Sequence, residues 1–144
     1  MKKIFSIILS ISILLGFTTS HALSNDVKIV LDGEELSSDV GAFIEDNRTF
    51  VPARAVFESL GVSVQWDGEY RTVMMLRKVD EEITSIALQI GLDKAFVNGE
   101  AISLETPPRI LNNRTFVPLR FIIEELDEKI TWVGEERTVY IETK

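Results

Sequence analysis

The sequence predicts an α+β fold in which an antiparallel β-sheet wraps around short helices. Segments with alternating apolar residues are separated by turn dipeptides, a pattern typical of antiparallel strands. The chain also repeats itself, because residues 28–78 match residues 94–144 without a gap and 21 of the 51 pairs are identical. Repeats of this length indicate one structural unit used more than once. We therefore predict two tandem copies of a hairpin–strand–helix–hairpin unit, joined around residues 79–84.

The N-terminal segment, residues 1–22, is predicted to be a signal peptide. Lys2 and Lys3 precede an apolar run without charge at residues 4–17. This run is shorter than the roughly 20 residues that a membrane-spanning helix needs, and small residues end it at Ala22. The alternative is an uncleaved anchor, which would be the chain's one route to a membrane. Residues 23–144 are predicted to form a single secreted or cell-wall-associated domain.

Each repeat begins with residues that favour β-hairpins. Asp32-Gly33 and Asn98-Gly99 are typical of type I′ turns, which need a positive φ at both central residues. A second tight turn is predicted at residues 45–48 and 111–114, where Asn and Asp are frequent. A short strand follows each of these turns, at residues 49–51 and 115–117.

A proline then marks the start of one short helix in each repeat. Pro52 and Pro118 are predicted at the first helical position, where the missing N–H costs no hydrogen bond. Gly61 ends the first helix, whereas Asp127 stands at the matching position of the second. Alternating apolar residues predict further strands, and these fall at residues 62–66, 71–76, 83–90, 130–132 and 137–141.

Composition excludes several classes of chemistry. The chain has 15 basic and 23 acidic residues, and without residues 1–22 the balance becomes 13 to 23, a formal charge of −10. Such a surface repels phosphate, so nucleic acid is not an expected partner. Cysteine is absent and the one histidine is His21, so residues 23–144 offer no imidazole or thiolate for nucleophilic catalysis, zinc or copper. No cofactor or metal is predicted.

The repeated motif resembles a known family. Residues 47–54 and 113–120 both read Asn-Arg-Thr-Phe-Val-Pro-x-Arg, and each is followed by Glu, Leu, Trp and a closing Arg-Thr-Val. This pattern is similar to the copper amine oxidase N-terminal-like domain, or stalk domain, of exported bacterial proteins. The resemblance implies an α+β domain without catalytic activity. Amine oxidation is not implied, because that chemistry resides in a separate domain that needs three histidine copper ligands.

Four charged residues of the motif are candidate contact residues. Arg54 and Glu58 lie four residues apart on the first predicted helix, as do Arg120 and Glu124 on the second. An exposed pair at this spacing contributes only about 0.2–0.5 kcal/mol. We therefore expect each arginine also to tie its helix to neighbouring backbone or to another carboxylate. Recognition of an anion is the alternative.

The two tryptophans are the remaining candidates. Trp66 and Trp132 continue the apolar face of their strands, so both are predicted to pack in the core, where aromatic rings bury a large area. The alternative is a stacking platform for sugar rings.

Two hypotheses for the function follow. The first is a non-catalytic structural or interaction module of the bacterial cell envelope, with an envelope protein as partner. The second is a module that binds cell-wall polymer or another polysaccharide. An enzyme that uses paired carboxylates is the least supported class. The sequence leaves the oligomeric state open.

Overall fold

A computed structural model describes residues 26–37 and 41–144, and in this part the fold is α+β with mostly antiparallel strands and two short helices. The predicted signal peptide lies outside the described residues. The strands are β1 Lys28–Leu31, β2 Glu34–Glu35, β3 Phe43–Glu45, β4 Arg48–Pro52, β5 Ser63–Asp67, β6 Thr72–Val79, β7 Glu82–Gln89, β8 Lys94–Val97, β9 Glu100–Ser103, β10 Arg109–Leu111, β11 Arg114–Pro118, β12 Lys129–Val133 and β13 Thr138–Glu142. The helices are α1 Ala53–Phe57 and α2 Leu119–Glu125. Within the described ranges, neither helix is long and apolar enough to cross a membrane.

The tight turns lie where the sequence predicts them. Both central residues have positive φ in the turns β1–β2 and β8–β9, as the Asp-Gly and Asn-Gly dipeptides require. The turns β3–β4 and β10–β11 use the pairs Asp46-Asn47 and Asn112-Asn113, with φ between 47° and 63°. The predicted link at residues 79–84 is a further hairpin, because β6 and β7 pair from end to end.

Each helix begins one residue later than the sequence predicts. Pro52 and Pro118 have extended ψ values of 118° and 113°, so each is the last residue of its strand rather than the first of its helix. A 3-10 turn, Glu58–Leu60, continues α1 and ends at Gly61. Asp127 has a φ of 56°, close to the 74° of Gly61, and therefore ends α2 by the same left-handed conformation.

The strands form three sheets, and the expectation of one antiparallel sheet is wrong. Their strand orders are β12-β13-β1-β2, β10-β11-β4-β3 and β5-β6-β7-β8-β9. One pair, β1 with β13, is parallel and joins the two ends of the described chain. Turn chemistry determines which strands pair locally, but pairing between distant edges depends on how the sheets pack.

The sheet β10-β11-β4-β3 brings the two sequence repeats together. Strand β4 of the first repeat pairs antiparallel with β11 of the second, and Val51 lies opposite Val117. Because both strands run directly into their helices, α2 contacts β4 and α1 contacts β11. Each helix therefore packs on a strand from the other repeat. Buried residues of both repeats form one hydrophobic core.

The other two sheets are also made from both repeats. The hairpin β1–β2 of the first repeat pairs with β13 of the second. In the five-stranded sheet, β7 lies between β6 of the first repeat and β8 of the second and pairs with both. The two repeats therefore share sheets as well as a core.

Candidate functional site

The two tryptophans are exposed, and the prediction that they pack in the core is wrong. Trp66 on β5 is 41% exposed and Trp132 on β12 is 37% exposed. The predicted alternation along β5 is confirmed, since Trp66 lies on the same face of its strand as the buried Val64. That face opens into a cleft at the tryptophan, however, so strand periodicity alone could not show that the ring is left uncovered.

Each tryptophan lines one of two clefts at the beginning of a helix. The α1 cleft has a volume of about 570 Å³ and is lined by Pro52, Ala53, Arg54, Ala55, Val64, Trp66, Val73, Ile110, Asn112, Asn113, Arg114 and Thr115. The α2 cleft has a volume of about 610 Å³ and is lined by Ile44, Asn47, Arg48, Thr49, Ser103, Leu104, Glu105, Thr106, Pro118, Leu119, Arg120, Phe121, Glu124, Ile130, Trp132 and Val139. Both volumes lie in the range of pockets that hold small ligands.

The two clefts correspond residue by residue. Of the 12 residues that line the α1 cleft, 11 have a counterpart 66 positions away that lines the α2 cleft. Asn112 is the exception. The correspondence includes the tryptophan, the helix arginine and the Asn-Arg-Thr turn, so both aromatic and polar groups occur twice in the same arrangement.

Each cleft is shared between the two repeats. In the α2 cleft, the helix and Trp132 come from the second repeat, whereas Asn47, Arg48 and Thr49 come from the first. In the α1 cleft, the helix and Trp66 come from the first repeat, whereas Asn113, Arg114 and Thr115 come from the second. This exchange follows from the pairing of β4 with β11, which places the turn before each strand beside the helix that follows the other. A cleft therefore exists only when both repeats are folded together.

The polar edge of each indole is open. Among the described residues, neither Trp66 nor Trp132 donates a hydrogen bond from its indole N–H to another protein group. Gly68 and Gly134 lie beside this edge, since a Cβ on either would be 3.6 Å and 3.4 Å from the respective Nε1 atom. A methyl group at either position would be in van der Waals contact with Nε1. The two glycines therefore leave space beside this donor.

The helix arginines are exposed, and among the described residues each pairs with a glutamate four positions later. Arg54 Nη1 lies 3.0 Å from Glu58 Oε1, and Arg120 Nη1 lies 3.7 Å from Glu124 Oε1. The expected additional tie to backbone or to another carboxylate is not found within residues 26–37 and 41–144. Such surface pairs hold an arginine weakly, so both guanidinium groups can turn towards a ligand.

A second arginine, which is not among the predicted contact residues, lines each cleft. Arg48 forms an ion pair with Glu105 across the α2 cleft, and Arg114 lines the α1 cleft at the matching position. Both belong to the Asn-Arg-Thr segment, for which the sequence predicts a tight turn. Their recurrence in the repeat was the available signal. Glu58, by contrast, was selected but lines neither cleft.

The two clefts differ in their acidic groups. Glu105 and Glu124 are the carboxylates of the α2 cleft, and no carboxylate lines the α1 cleft among the described residues. A reaction that depends on paired carboxylates therefore could not occur in both. What the two clefts share is a flat aromatic ring, guanidinium groups, an asparagine and a threonine.

The groups with perturbed pKa values lie outside both clefts. Hydrogen bonds from the side chain and backbone of Thr143 lower the pKa of Asp32. The hydrogen bond and charge of Lys144 lower the pKa of Asp127. A hydrogen bond to Glu136 raises the pKa of Tyr140. The first two contacts hold the C-terminal residues to the domain, so they indicate structural roles.

Comparison with known proteins identifies related sequences. A family model described as "Copper amine oxidase N-terminal domain" matches residues 30–141. A protein of Brevibacillus choshinensis named "Protease inhibitor" is 32% identical over 141 residues, an alignment that covers 87% of this chain and 40% of that protein. The chain thus spans about two fifths of the length of that relative.

Copper does not fit the residues that are present. Residues 23–144 contain neither histidine nor cysteine. The described part of the chain also holds no group of three or more side chains that could bind a metal ion. Copper in proteins prefers imidazole and thiolate ligands, and residues 23–144 contain neither.

Proposed function

The chain belongs to the copper amine oxidase N-terminal domain family, a non-catalytic domain, and we propose that it acts as an exported interaction module of the bacterial cell envelope. In this proposal the domain consists of two copies of one hairpin–strand–helix–hairpin unit. The observation that carries the proposal is the pair of matching clefts with exposed tryptophans. Large aromatic rings left open twice, at equivalent positions, favour a role in binding.

The ligand that best fits the clefts is a cell-wall polymer or another polysaccharide. A pyranose ring has an apolar face that packs on an indole and hydroxyl groups around its edge that need planar donors and acceptors. Trp132 supplies the ring, its N–H is open, and Arg120 and Asn47 line the same α2 cleft. The α1 cleft offers the same groups. Two sites on one domain would hold one polymer chain by avidity, even when each site binds weakly.

A protein partner is the second candidate. It is favoured by the relative from Brevibacillus choshinensis, which is named as a protease inhibitor. We infer from this name that a domain of this kind can act by contact with another protein. An envelope protein or a protease could then be the partner, held at the same clefts or elsewhere on the surface.

Binding to purified cell walls and to soluble polysaccharides tests the proposal. Trp66→Ala and Trp132→Ala should each weaken binding about tenfold, which corresponds to about 1.4 kcal/mol, and the double variant should be released from the walls. Tyr70→Ala is the matched control, because Tyr70 is an exposed aromatic residue that lines neither cleft. Its binding should equal that of the wild type.

Three outcomes separate the candidates. Retention that survives moderate salt and requires the tryptophans supports polysaccharide binding. Failure to bind any polymer, together with capture of a purified protease or envelope protein, favours the protein partner. Wall binding that is unchanged in the double tryptophan variant would show that the clefts are not the binding sites.

A further inference from the structure

The outward surface of the five-stranded sheet β5–β9, which we call the outer face, exposes large apolar side chains. Met74 and Leu76 on β6 are 39% and 46% exposed, Ile83 on β7 is 57% exposed, and Phe96 on β8 is 44% exposed. Their neighbours along each strand, such as Met75, Ile86 and Ala95, point the other way and are buried in the core. The outer face is thus a second apolar surface of the same sheet.

The exposed apolar groups are contiguous. The strand register places Met74 opposite Ala87, Ala87 opposite Phe96, and Phe96 opposite Ala101. They therefore form one row across four neighbouring strands. Cross-strand neighbours in such a row lie about 5 Å apart, so their side chains touch. Leu76 and Ile83 extend the row towards the β6–β7 turn.

The sheet β12-β13-β1-β2 supplies an internal comparison, because its strands are the repeat counterparts of β5, β6, β8 and β9, and its outward surface is the matching face. The residues 66 positions away from Met74, Leu76 and Ala101 are Tyr140, Glu142 and Glu35. There the polar groups are paired, and the pairs are Tyr140 Oη with Glu136 Oε2 at 2.5 Å, Lys129 Nζ with Glu142 Oε2 at 3.0 Å, and Lys28 Nζ with Glu35 Oε2 at 3.9 Å. The counterpart strands, which form a sheet without an equivalent of β7, therefore carry a polar outward surface, and strands of this kind do not require an apolar one.

The outer face is also nearly free of acidic residues. Residues 23–144 carry a formal charge of −10, but the charged side chains on the outer face are Lys78, Lys94 and, at one corner, Asp67 among the described residues. Asp67 Oδ1 already accepts hydrogen bonds from the backbone amides of Glu69 and Tyr70. Two acidic molecules repel each other least where they meet without opposing carboxylates. The outer face meets this condition.

We propose that the outer face binds a second copy of this chain, so that two sheets pack face to face in a symmetric dimer. The five strands have four to eight residues each and lie about 4.8 Å apart, which gives about 460 Å² for each molecule. The total of about 900 Å² lies in the range of weak, transient interfaces, so the dimer is reversible and depends on concentration. A second copy supplies an apolar surface of the same size and period, as sheet packing requires. The inference does not depend on ligand binding at the clefts.

Sedimentation velocity of the purified protein between about 1 and about 300 μM tests this proposal, because a weak dimer forms within this range. The wild type should change from monomer to dimer as the concentration rises. Leu76→Glu combined with Ala101→Glu gives the outer face the residues that the matching face has at Glu142 and Glu35. This variant should weaken the dimer at least about tenfold. Thr131→Glu, which adds an acidic residue to the matching face, should dimerise like the wild type.

Two results would overturn the proposal. One is a wild type that stays monomeric at every concentration, which would leave the outer face to a different partner. The other is a double glutamate variant that dimerises as strongly as the wild type. Far-UV circular dichroism checks that the variants fold, and Phe96→Val is the milder substitution if they do not. It introduces the residue of the matching position, Val30, and should still weaken the dimer by several fold.

Discussion

Replacing Arg77 by methionine should remove a large part of the stability of this domain. Arg77 lies on β6, and its Nη1 atom is 2.6 Å from Oε1 of Glu128, which follows α2. Its Nη2 atom donates a hydrogen bond to the backbone oxygen of Leu126 at the end of that helix. The side chains are only 14% and 8% exposed. This pair therefore joins the five-stranded sheet to the helix of the other repeat in a place with little water.

The magnitude follows from the burial of the carboxylate that the substitution leaves behind. Removing one partner of a buried ion pair costs about 3–5 kcal/mol, because the other charge stays buried without compensation. The backbone amide of Lys144 still donates to Glu128 Oε2 at 2.9 Å, so we expect the lower end, about 3 kcal/mol. The free energy of unfolding of small domains is about 5–15 kcal/mol, so this loss is a considerable fraction of it.

A double-mutant cycle isolates the interaction between the two charges. The first repeat has Val62 where the second has Glu128, so Glu128→Val introduces the residue that the first repeat has at the matching position. The combined variant, Arg77→Met with Glu128→Val, should recover most of the stability lost in either single variant, because no unpaired charge remains buried.

Urea unfolding followed by far-UV circular dichroism measures these free energies. Arg54→Met is the control, because its pair with Glu58 is exposed and should change the unfolding free energy by at most about 0.5 kcal/mol. If Arg77→Met is as mild as Arg54→Met, or if the losses in the double variant simply add, the argument from burial is refuted.

Three further outcomes are expected. Arg71 has a φ of 50°, so Arg71→Gly should relieve backbone strain and raise the unfolding free energy by up to about 1 kcal/mol, while Arg71→Ala should not; equal urea midpoints for the two would contradict this. Because hydrogen bonds from Thr143 lower the pKa of Asp32 in the folded state, their contribution is complete above the unfolded value and is lost as the pH falls through the folded value. The amide resonance of Thr143 should therefore titrate with a midpoint below that of a free aspartate and lose this transition in Asp32→Asn. The exposure of Trp66 and Trp132 should give native fluorescence close to that of free tryptophan and ready quenching by iodide, whereas emission typical of a buried indole would contradict the open clefts.

Much of the local structure could be predicted because it depends on residues close in sequence. A positive φ at Asn98 and Gly99 is a property of that dipeptide, and it produces the hairpin wherever the chain lies. The starts of α1 and α2 likewise follow, to within one residue, from the backbone preferences of Pro52 and Pro118. Since the repeat presents each of these signals twice, each prediction had an independent check.

The candidate site could be predicted only in part. The repeat directed attention to Trp66, Trp132, Arg54, Arg120 and Glu124, and all five line a cleft. The exposure of the two tryptophans could not be predicted, however, because alternation along a strand indicates the face on which a side chain lies but not what covers that face.

The sequence by itself determined the turns, the helices and the identity of the repeated side chains, since these depend on local conformational energy and on residue chemistry. Only the tertiary structure decided the parallel pairing of β1 with β13 and the contact between β4 and β11. Contacts between distant segments depend on which apolar faces can be buried together, and no short stretch of chain contains that information. The clefts arise from this exchange between repeats.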